Sequence, residues 1–236
     1  MSRQGPREVS FLLPDEENGV RRISAVMYGT REQPCILCIH GFQDNANSFF
    51  FLAPRLAKLG FFVVCVELTG HGRSDHGHSN HFSYAFDVVD VADSLQVGQF
   101  HLVGHSMGAI VSAMVAGSLR KRVLSLVMID AIGAVGSFND SEAPELLETA
   151  LNQRSAMISR RPRVYDTFDE CLQRWAESPF APRGEENLRL IVGRGTEEIV
   201  DPNGFVTGFR FRHDPRLKMA PPFKISESAS QGFCCD

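Results

Sequence analysis

The chain has 236 residues, of which 43% are hydrophobic and 22% charged, and its formal net charge at pH 7 is −4. This is the balance of a globular protein long enough for one domain with a substantial core, and a chain without a basic excess is not expected to bind nucleic acid. No segment approaches the ~18 consecutive apolar residues of a membrane span. Residues 1–7 lack the apolar core of a secretory signal, which predicts an intracellular and most simply cytoplasmic protein.

Short apolar runs alternate with helical patterns through the first 130 residues. Two runs flanking a polar turn at 15–19 predict an antiparallel pair of strands. The later runs are almost continuously apolar, which is typical of a parallel sheet covered on both faces. In chain order, the sequence predicts strands over 8–14, 22–28, 35–39, 61–66, 100–104 and 122–130, and helices over 48–59, 82–95 and 109–117. Phe86, Val88 and Val89 are expected to face the core.

Beyond residue 132 the pattern changes to amphipathic helices with no buried strand between them. We expect helices over 141–159, 167–178 and 185–199. The stretch 201–212 is polar and aromatic, with turn glycines at Gly204 and Gly208. The tail over 226–236 shows no strand pattern.

Three of the six cysteines, Cys35, Cys38 and Cys65, fall inside predicted strands, where a thiol acts as a small hydrophobe. Cys35 and Cys38 are an odd number of positions apart, so on a strand they face opposite sides. The histidine-rich loop over 71–81 contains few carboxylates. We therefore expect no metal or redox site and no cofactor, and reduced thiols fit an intracellular compartment.

The strongest motif is Gly104-His105-Ser106-Met107-Gly108, which lies between an apolar run and a helix of small residues. A serine hydroxyl is a weak nucleophile unless a base takes its proton. A sharp strand-to-helix turn would present Ser106 at its tip, with glycines where a side chain would crowd the turn. The N-terminus of the following helix directs partial positive charge at the same point.

Two further motifs follow buried strands upstream. His40-Gly41-Phe42 follows the strand over 35–39, and the alternative interpretation is a strand that runs into a glycine turn. Gly70-His71-Gly72-Arg73-Ser74 follows the strand over 61–66 and Glu67. We interpret His71 as a residue that organises this loop rather than as a catalytic group.

In this order the three motifs resemble the α/β-hydrolases, and the resemblance covers about residues 8–217. The segments over 40–49, 104–108 and 210–217 resemble the serine hydrolase-like proteins within that superfamily. The resemblance implies an α/β-hydrolase fold, a mostly parallel sheet flanked by helices with a helical cap over a pocket. It also implies that Ser106 is the nucleophile, that Gly104 and Gly108 form the elbow, and that the N–H groups of Phe42 and Met107 form the oxyanion hole. Glu67 departs from the aspartate that the family usually carries.

The resemblance divides the chain into a hydrolase core over 1–131, a helical cap region over 132–219 and an irregular tail over 220–236. The family's last core strands have no counterpart in the tail, which suggests a C-terminally truncated form. The strand over 122–130 would then lie at an exposed sheet edge through which the chain could associate with itself.

The remaining members of a catalytic triad are harder to identify. The usual chain order is serine, acid and histidine. Asp130 ends the strand after the elbow and is a candidate acid, although a structural role is equally open and many relatives carry the acid one strand later. The one histidine downstream of Ser106 is His213, which lies at the end of the cap. The base is therefore not identified.

Two functions remain open. The first is a serine hydrolase that acts on a small ester, thioester or amide through an acyl-enzyme on Ser106. The second is a catalytically weak or inactive truncated isoform that acts as a binding or regulatory protein. In both cases the expected ligand is a small molecule.

Overall fold

The computed structural model describes residues 5–15, 19–77, 81–131, 140–158, 162–219 and 231–233. Part of the predicted turn at 15–19, part of the histidine-rich loop, the beginning of the predicted cap at 132–139 and most of the tail over 220–236 lie outside these residues. The boundaries of the three predicted regions therefore stay predictions.

A six-stranded, mostly parallel sheet forms the centre of the protein, as the sequence predicts. The strands are β1 (Arg7–Asp15), β2 (Gly19–Tyr28), β3 (Cys35–Ile39), β4 (Phe62–Val66), β5 (Phe100–His105) and β6 (Val123–Ile129). Their order across the sheet is β1-β2-β4-β3-β5-β6. The first two strands pair in antiparallel fashion and β2 pairs antiparallel with β4, whereas β4, β3, β5 and β6 are mutually parallel.

Helices cover both faces of the sheet. The helices α2 (His81–Ser94) and α3 (Met107–Ser118) pack on one face and α1 (Ala53–Lys58) on the other. Cys35 belongs to the first of these two apolar clusters and Cys38 to the second, which confirms that they face opposite sides of β3.

Two expectations for the core helices are wrong. The predicted helix over 48–59 is a short 3-10 helix at Ala46–Phe49 followed by α1. Pro54 in the first turn of α1 has no N–H to donate and is tolerated only near a helix start, so one continuous helix cannot form. Phe86 is 65% exposed, because the buried stripe of α2 runs instead through Tyr84, Val88, Val91 and Leu95.

The region after β6 contains helices α4 (Ala143–Ile158), α5 (Phe168–Ala176) and α6 (Glu185–Gly195). The helix predicted over 185–199 ends at Gly195, and the polar, aromatic stretch over 201–212 contains a strand. An antiparallel hairpin of β7 (Thr196–Val200) and β8 (Val206–Phe211) follows α6. Three of the five residues of β7 are β-branched, which favours a strand over continued helix. Trp175, Leu172 and Ile191 form the apolar centre of this region.

Within the described part of the chain, β6 lies at the edge of the sheet. Its side chains Leu124, Val127 and Ile129 are exposed. Unpaired strand edges can pair with another chain, and self-association through this edge stays a prediction. None of the described helices is long and apolar enough to cross a membrane.

Candidate active site

Ser106 lies in the sharp turn between β5 and α3. Its backbone has φ 50° and ψ −119°, a conformation that non-glycine residues rarely adopt. Such a residue costs about 1–3 kcal/mol and persists only where the surrounding structure holds it. The Ser106 N–H donates to the carbonyl oxygen of Ile129 at 2.8 Å, which ties the turn to the end of β6.

The glycines on either side of Ser106 allow three backbone segments to meet. A Cβ atom at Gly104 would lie 2.5 Å from the Cα atom of Ala109 and closer still to the carbonyl oxygen of Gly108. One at Gly108 would lie 2.5 Å from the carbonyl oxygen of His40 and closer still to that of Ile39. Because the close neighbours are backbone atoms, only glycine fits at either position.

The loop after β3 brings a free amide to the same place. The carbonyl oxygen of Gly41 accepts hydrogen bonds from His40 Nδ1–H at 2.7 Å and from the Asp44 N–H at 3.2 Å. In a trans peptide the C=O and the following N–H point in opposite directions, so the Phe42 N–H points away from both donors. No described group accepts a hydrogen bond from it. We refer to residues 41–45 as the 41–45 loop.

Met107 is the first residue of α3, and the first N–H groups of a helix have no partner inside the helix. The Ser106 carbonyl oxygen accepts from Ala109 and Ile110, and no described group accepts from Met107 N–H. Two backbone donors are thus unused next to Ser106, one from each side of the turn.

Two buried histidines lie next to the 41–45 loop, and the ring of His71 contacts those of His40 and Phe42. His40 Nε2 accepts from the Leu68 N–H at 3.1 Å, which leaves Nδ1 as the protonated nitrogen. His71 is fully buried, and its Nδ1–H donates to the Thr69 carbonyl oxygen, as expected of a residue that organises its loop. Burial lowers the pKa of His40 to about 4 and that of His71 to about 3, so both rings are neutral near pH 7.

A cavity with a volume of about 630 Å³ lies beside Ser106. Ser106, Gly41, Phe42 and Asp130 all line it. Most of the remaining lining is apolar and comes from both sides of the sheet–cap boundary, and includes Phe51, Leu52, Phe180, Leu190 and Ile191. A volume of this size is typical of a small-molecule site.

Asp44 and His105 also line this cavity, and sequence reasoning missed both. Asp44 Oδ2 lies 3.9 Å from His105 Nδ1 and accepts a hydrogen bond from the Ser48 hydroxyl at 2.7 Å. Burial raises the pKa of Asp44 to about 6. His105 Nδ1 is buried without a hydrogen-bond partner among the described residues. Neither residue carries a local signal, because a polar loop residue and a strand-end histidine are common in any sequence.

Asp130 and His213, the two triad candidates that the sequence left open, lie in different surroundings. Asp130 has φ 65° and lines the Ser106 cavity, directly after β6. His213 lies in the cap region and packs against the rings of Trp175 and Phe211, with ring centroids 6.2 and 5.5 Å away. Burial lowers the pKa of His213 to about 3, which makes it a poor base near neutral pH.

A buried ion pair joins the cap region to the core next to the site. Arg194 of α6 donates to both oxygens of Glu67, at 2.7 and 3.1 Å, and their side chains are 4% and 0% exposed. Arg194 also forms a bidentate pair with Glu8 of β1, at 2.6 and 3.0 Å. Sequence reasoning noted Glu67 but could not find its partner, which lies 127 positions later.

Comparison with known proteins agrees with this architecture. The family model for the alpha/beta hydrolase fold matches residues 34–194. The chain is 32% identical over 201 residues to a serine hydrolase-like protein of Dictyostelium discoideum, a match that covers 83% of this chain and 55% of that protein. It is 28% identical over 206 residues to serine hydrolase-like protein 2 of Homo sapiens, with 84% and 62% covered. In these two matches the chain spans little more than half the length of the relative.

A solved structure shows the same arrangement in three dimensions. The crystal structure of a hypothetical protein from Pseudomonas aeruginosa aligns with a TM-score of 0.83 at 32% identity, and the alignment covers 96% of this chain and 76% of that one. The family match extends from β3 through α6 and includes the turn that carries Ser106. The chain therefore belongs to the α/β-hydrolase fold family and resembles its serine hydrolase-like members.

Proposed function

We propose that the protein is a serine hydrolase that acts on a small ester, thioester or amide. The observation that carries this proposal is Ser106, held at φ 50° in a strand-to-helix turn beside a cavity and next to two unused backbone donors. Strained backbone of this kind concentrates at functional sites. The names of the serine hydrolase-like relatives support the same class of reaction.

In the proposed reaction, Ser106 Oγ attacks the carbonyl carbon of the substrate as its proton passes to a base. A C–O bond forms and the carbonyl electron pair moves onto the oxygen, which becomes an oxyanion. The N–H groups of Phe42 and Met107 and the N-terminus of α3 stabilise that charge. The intermediate then collapses as the base gives that proton to the leaving group, which departs as an alcohol, thiol or amine and leaves an acyl group on Ser106. Water attacks this acyl-enzyme in the second half-reaction and releases the acid.

The cavity supports a substrate with an apolar acyl portion. Its apolar lining is shared between the core side, with Phe51 and Leu52, and the cap side, with Phe180 and Leu190. Burial of apolar surface is the main source of binding energy in such sites. A small-molecule substrate of this class stays part of the proposal.

The proposed test of the nucleophile is covalent labelling of the purified chain with a fluorophosphonate, read out as intact mass. We expect one probe molecule per chain in the wild type and none in Ser106→Ala. Circular dichroism shows whether both samples are folded. A folded wild type that stays unlabelled, or labelling that persists in Ser106→Ala, would contradict the proposal.

Asp130 is the proposed acid that orients the base. Asparagine also tolerates a positive φ, so Asp130→Asn should keep the turn after β6. In a Ser-His-Asp triad the equivalent change costs about 10⁴ in kcat, and we expect fluorophosphonate labelling to slow at least ~100-fold. An unchanged labelling rate constant in the folded variant would show that Asp130 does not orient the base.

A second candidate is a ligand-binding or regulatory protein with little or no turnover. One observation favours it: among the described residues, no histidine forms a hydrogen bond with the Ser106 side chain, and His213 packs against Trp175 and Phe211 in the cap region. Ester turnover and equilibrium binding separate the two candidates. Ser106→Ala must abolish turnover in a hydrolase, whereas a binding protein keeps its affinity for the ligand in that variant.

A further inference from the structure

Helix α6 of the cap region contacts the 41–45 loop and its neighbourhood through three polar side chains. Asn45 Nδ2 donates to the carbonyl oxygen of Ile191 at 2.9 Å, and Asn47 Nδ2 donates to that of Leu190 at 2.8 Å. One turn later along the same helix, Arg194 pairs with Glu67. The last part of α6 is therefore bonded to the core at three successive points beside Ser106.

Glu67, the partner of Arg194 in the third contact, is itself hydrogen-bonded to the core backbone. Its Oε1 accepts from the Ala46 N–H at 3.3 Å, and its Oε2 accepts from the Arg73 N–H at 2.9 Å. The carboxylate lies directly over Gly72, where a Cβ atom would come 2.7 Å from Oε2 and closer still to the rest of the group. Ala46 is the first residue after the 41–45 loop, so the position of Glu67 helps to fix one end of that loop.

The pair needs both of its members. An isolated carboxylate in a dry interior is strongly unfavourable, and removal of one partner of a buried pair leaves such a charge behind. Without Arg194, Glu67 would have to be protonated or turn toward water, and either change disturbs its bonds to Ala46 and Arg73. Displacement of α6 has the same effect, because Arg194 moves with the helix.

Asn45 is a second specific contact between α6 and the core, next to Ala46. Its Oδ1 caps the 3-10 helix by accepting from the Asn47 N–H at 3.0 Å, while its Nδ2 binds α6. The side chain is 1% exposed, so water does not replace either bond. Two residues before Asn45, Gln43 has φ 59°, a left-handed conformation that non-glycine residues rarely adopt.

We propose that the docking of α6 sets the position of the 41–45 loop, and that Asn45 and Arg194 are positioning residues for the Phe42 N–H. The inference rests on the proposed function for its catalytic consequence, but the mechanical coupling stands on the contacts alone. In this arrangement α6 stays fixed on the core during turnover, and substrate selection by the cap falls to its other segments, such as the one that carries Phe180.

The most specific test replaces one side-chain amide group with a carboxylate. Asn45→Asp keeps the oxygen that caps the 3-10 helix and replaces the donor to Ile191 with a second acceptor, which repels that carbonyl. Asn47→Asp makes the same change at a half-buried position, so it tests the same contact if Asn45→Asp does not fold. The matched control is Asn203→Asp, the same chemical change in the exposed β7–β8 turn.

The readout is the rate constant and the amplitude of fluorophosphonate labelling over a range of probe concentrations. A misplacement of about 1 Å can cost ~10² in rate, so we expect the maximal labelling rate constant of Asn45→Asp and Asn47→Asp to fall about 10- to 100-fold. The probe concentration for half-maximal rate should stay unchanged. A variant that only loses stability would instead keep its rate constant and show a lower labelled fraction. Equal rate constants in Asn47→Asp, Asn203→Asp and the wild type would overturn the proposal.

Amide hydrogen exchange tests the coupling without any activity. In Asn47→Asp, peptides covering 40–49 and 188–195 should exchange faster than in the wild type, while peptides of β1 and β2 should be unchanged. If the wild type is not labelled at all, the proposed function fails and this measurement alone decides the inference. Unchanged exchange in both segments of a folded Asn47→Asp would refute the coupling.

Discussion

Titration of three buried histidines and of Asp44 is expected to remove about 4 kcal/mol of folding stability between pH 7 and pH 5. His40, His71 and His213 have folded-state pKa values lowered by burial to about 4, 3 and 3. Each stays neutral in the folded protein at pH 5 but takes up a proton on unfolding below about pH 6.5. The stability they contribute is therefore present above pH 6.5 and lost as the pH falls, by about 2 kcal/mol for each histidine at pH 5.

Asp44 acts in the opposite direction and is included in this figure. Burial raises its folded-state pKa to about 6, so the folded protein takes up a proton as the pH falls through 6. Between pH 7 and pH 5 this returns about 1.3 kcal/mol. Since native domains are stable by only about 5–15 kcal/mol, a net loss of this size is a large share of the free energy of unfolding.

Urea unfolding at pH 7, 6 and 5 measures this loss directly. His71→Asn is the matched variant, because the asparagine amide can replace the Nδ1–H donor to Thr69 without a group that titrates in this range. We expect the dependence of the free energy of unfolding on pH to become shallower in the variant by about 1.4 kcal/mol per pH unit below pH 6. Equal slopes in the two proteins would mean that His71 is accessible to protons in the folded state.

The parts of the site that local sequence could predict are those set by a few consecutive residues. The segment from Phe100 to Gly117 predicts a strand, a sharp turn and a helix with small residues. The structure places Ser106 in that turn. The same holds for the His40-Gly41 turn, where local bonds orient the Phe42 amide. Backbone geometry depends on neighbours in sequence, so such motifs carry it reliably.

What the sequence could not predict are pairings between distant segments. Arg194 is one arginine among many on amphipathic helices, and nothing near it indicates that it pairs with Glu67 across the cap boundary. The same is true of Asp44 and His105, which become candidate site residues only because the fold brings them together in one cavity. The end of α6 was also misplaced, because helical amphipathicity runs on past Gly195 until the pairing of β7 with β8 overrides it.

Gly108→Ala is expected to destabilise the protein by about 3 kcal/mol or more, against the usual preference of helices. In an ordinary helix the change from glycine to alanine stabilises by about 1 kcal/mol. Here the new Cβ atom would lie 2.5 Å from the His40 carbonyl oxygen and closer still to that of Ile39. These are backbone atoms of β3 and the residue after it, and β3 is paired on both sides, with β4 and β5. Overpacking against atoms that can move costs about 1–3 kcal/mol, and here they cannot move without breaking the sheet.

The control is Gly98→Ala, because a Cβ atom at Gly98 meets nothing within 4 Å. Urea unfolding should show Gly98→Ala within about 1 kcal/mol of the wild type and Gly108→Ala far below both. The strain in Gly108→Ala also falls on the peptide that begins the 41–45 loop, so fluorophosphonate labelling of the fraction that stays folded should slow as well. Stability equal to that of Gly98→Ala would show that α3 and β3 do not approach as closely as the turn around Ser106 requires. The same close approach that makes the chain intolerant of a methyl group at Gly108 is what brings the Phe42 amide beside the serine.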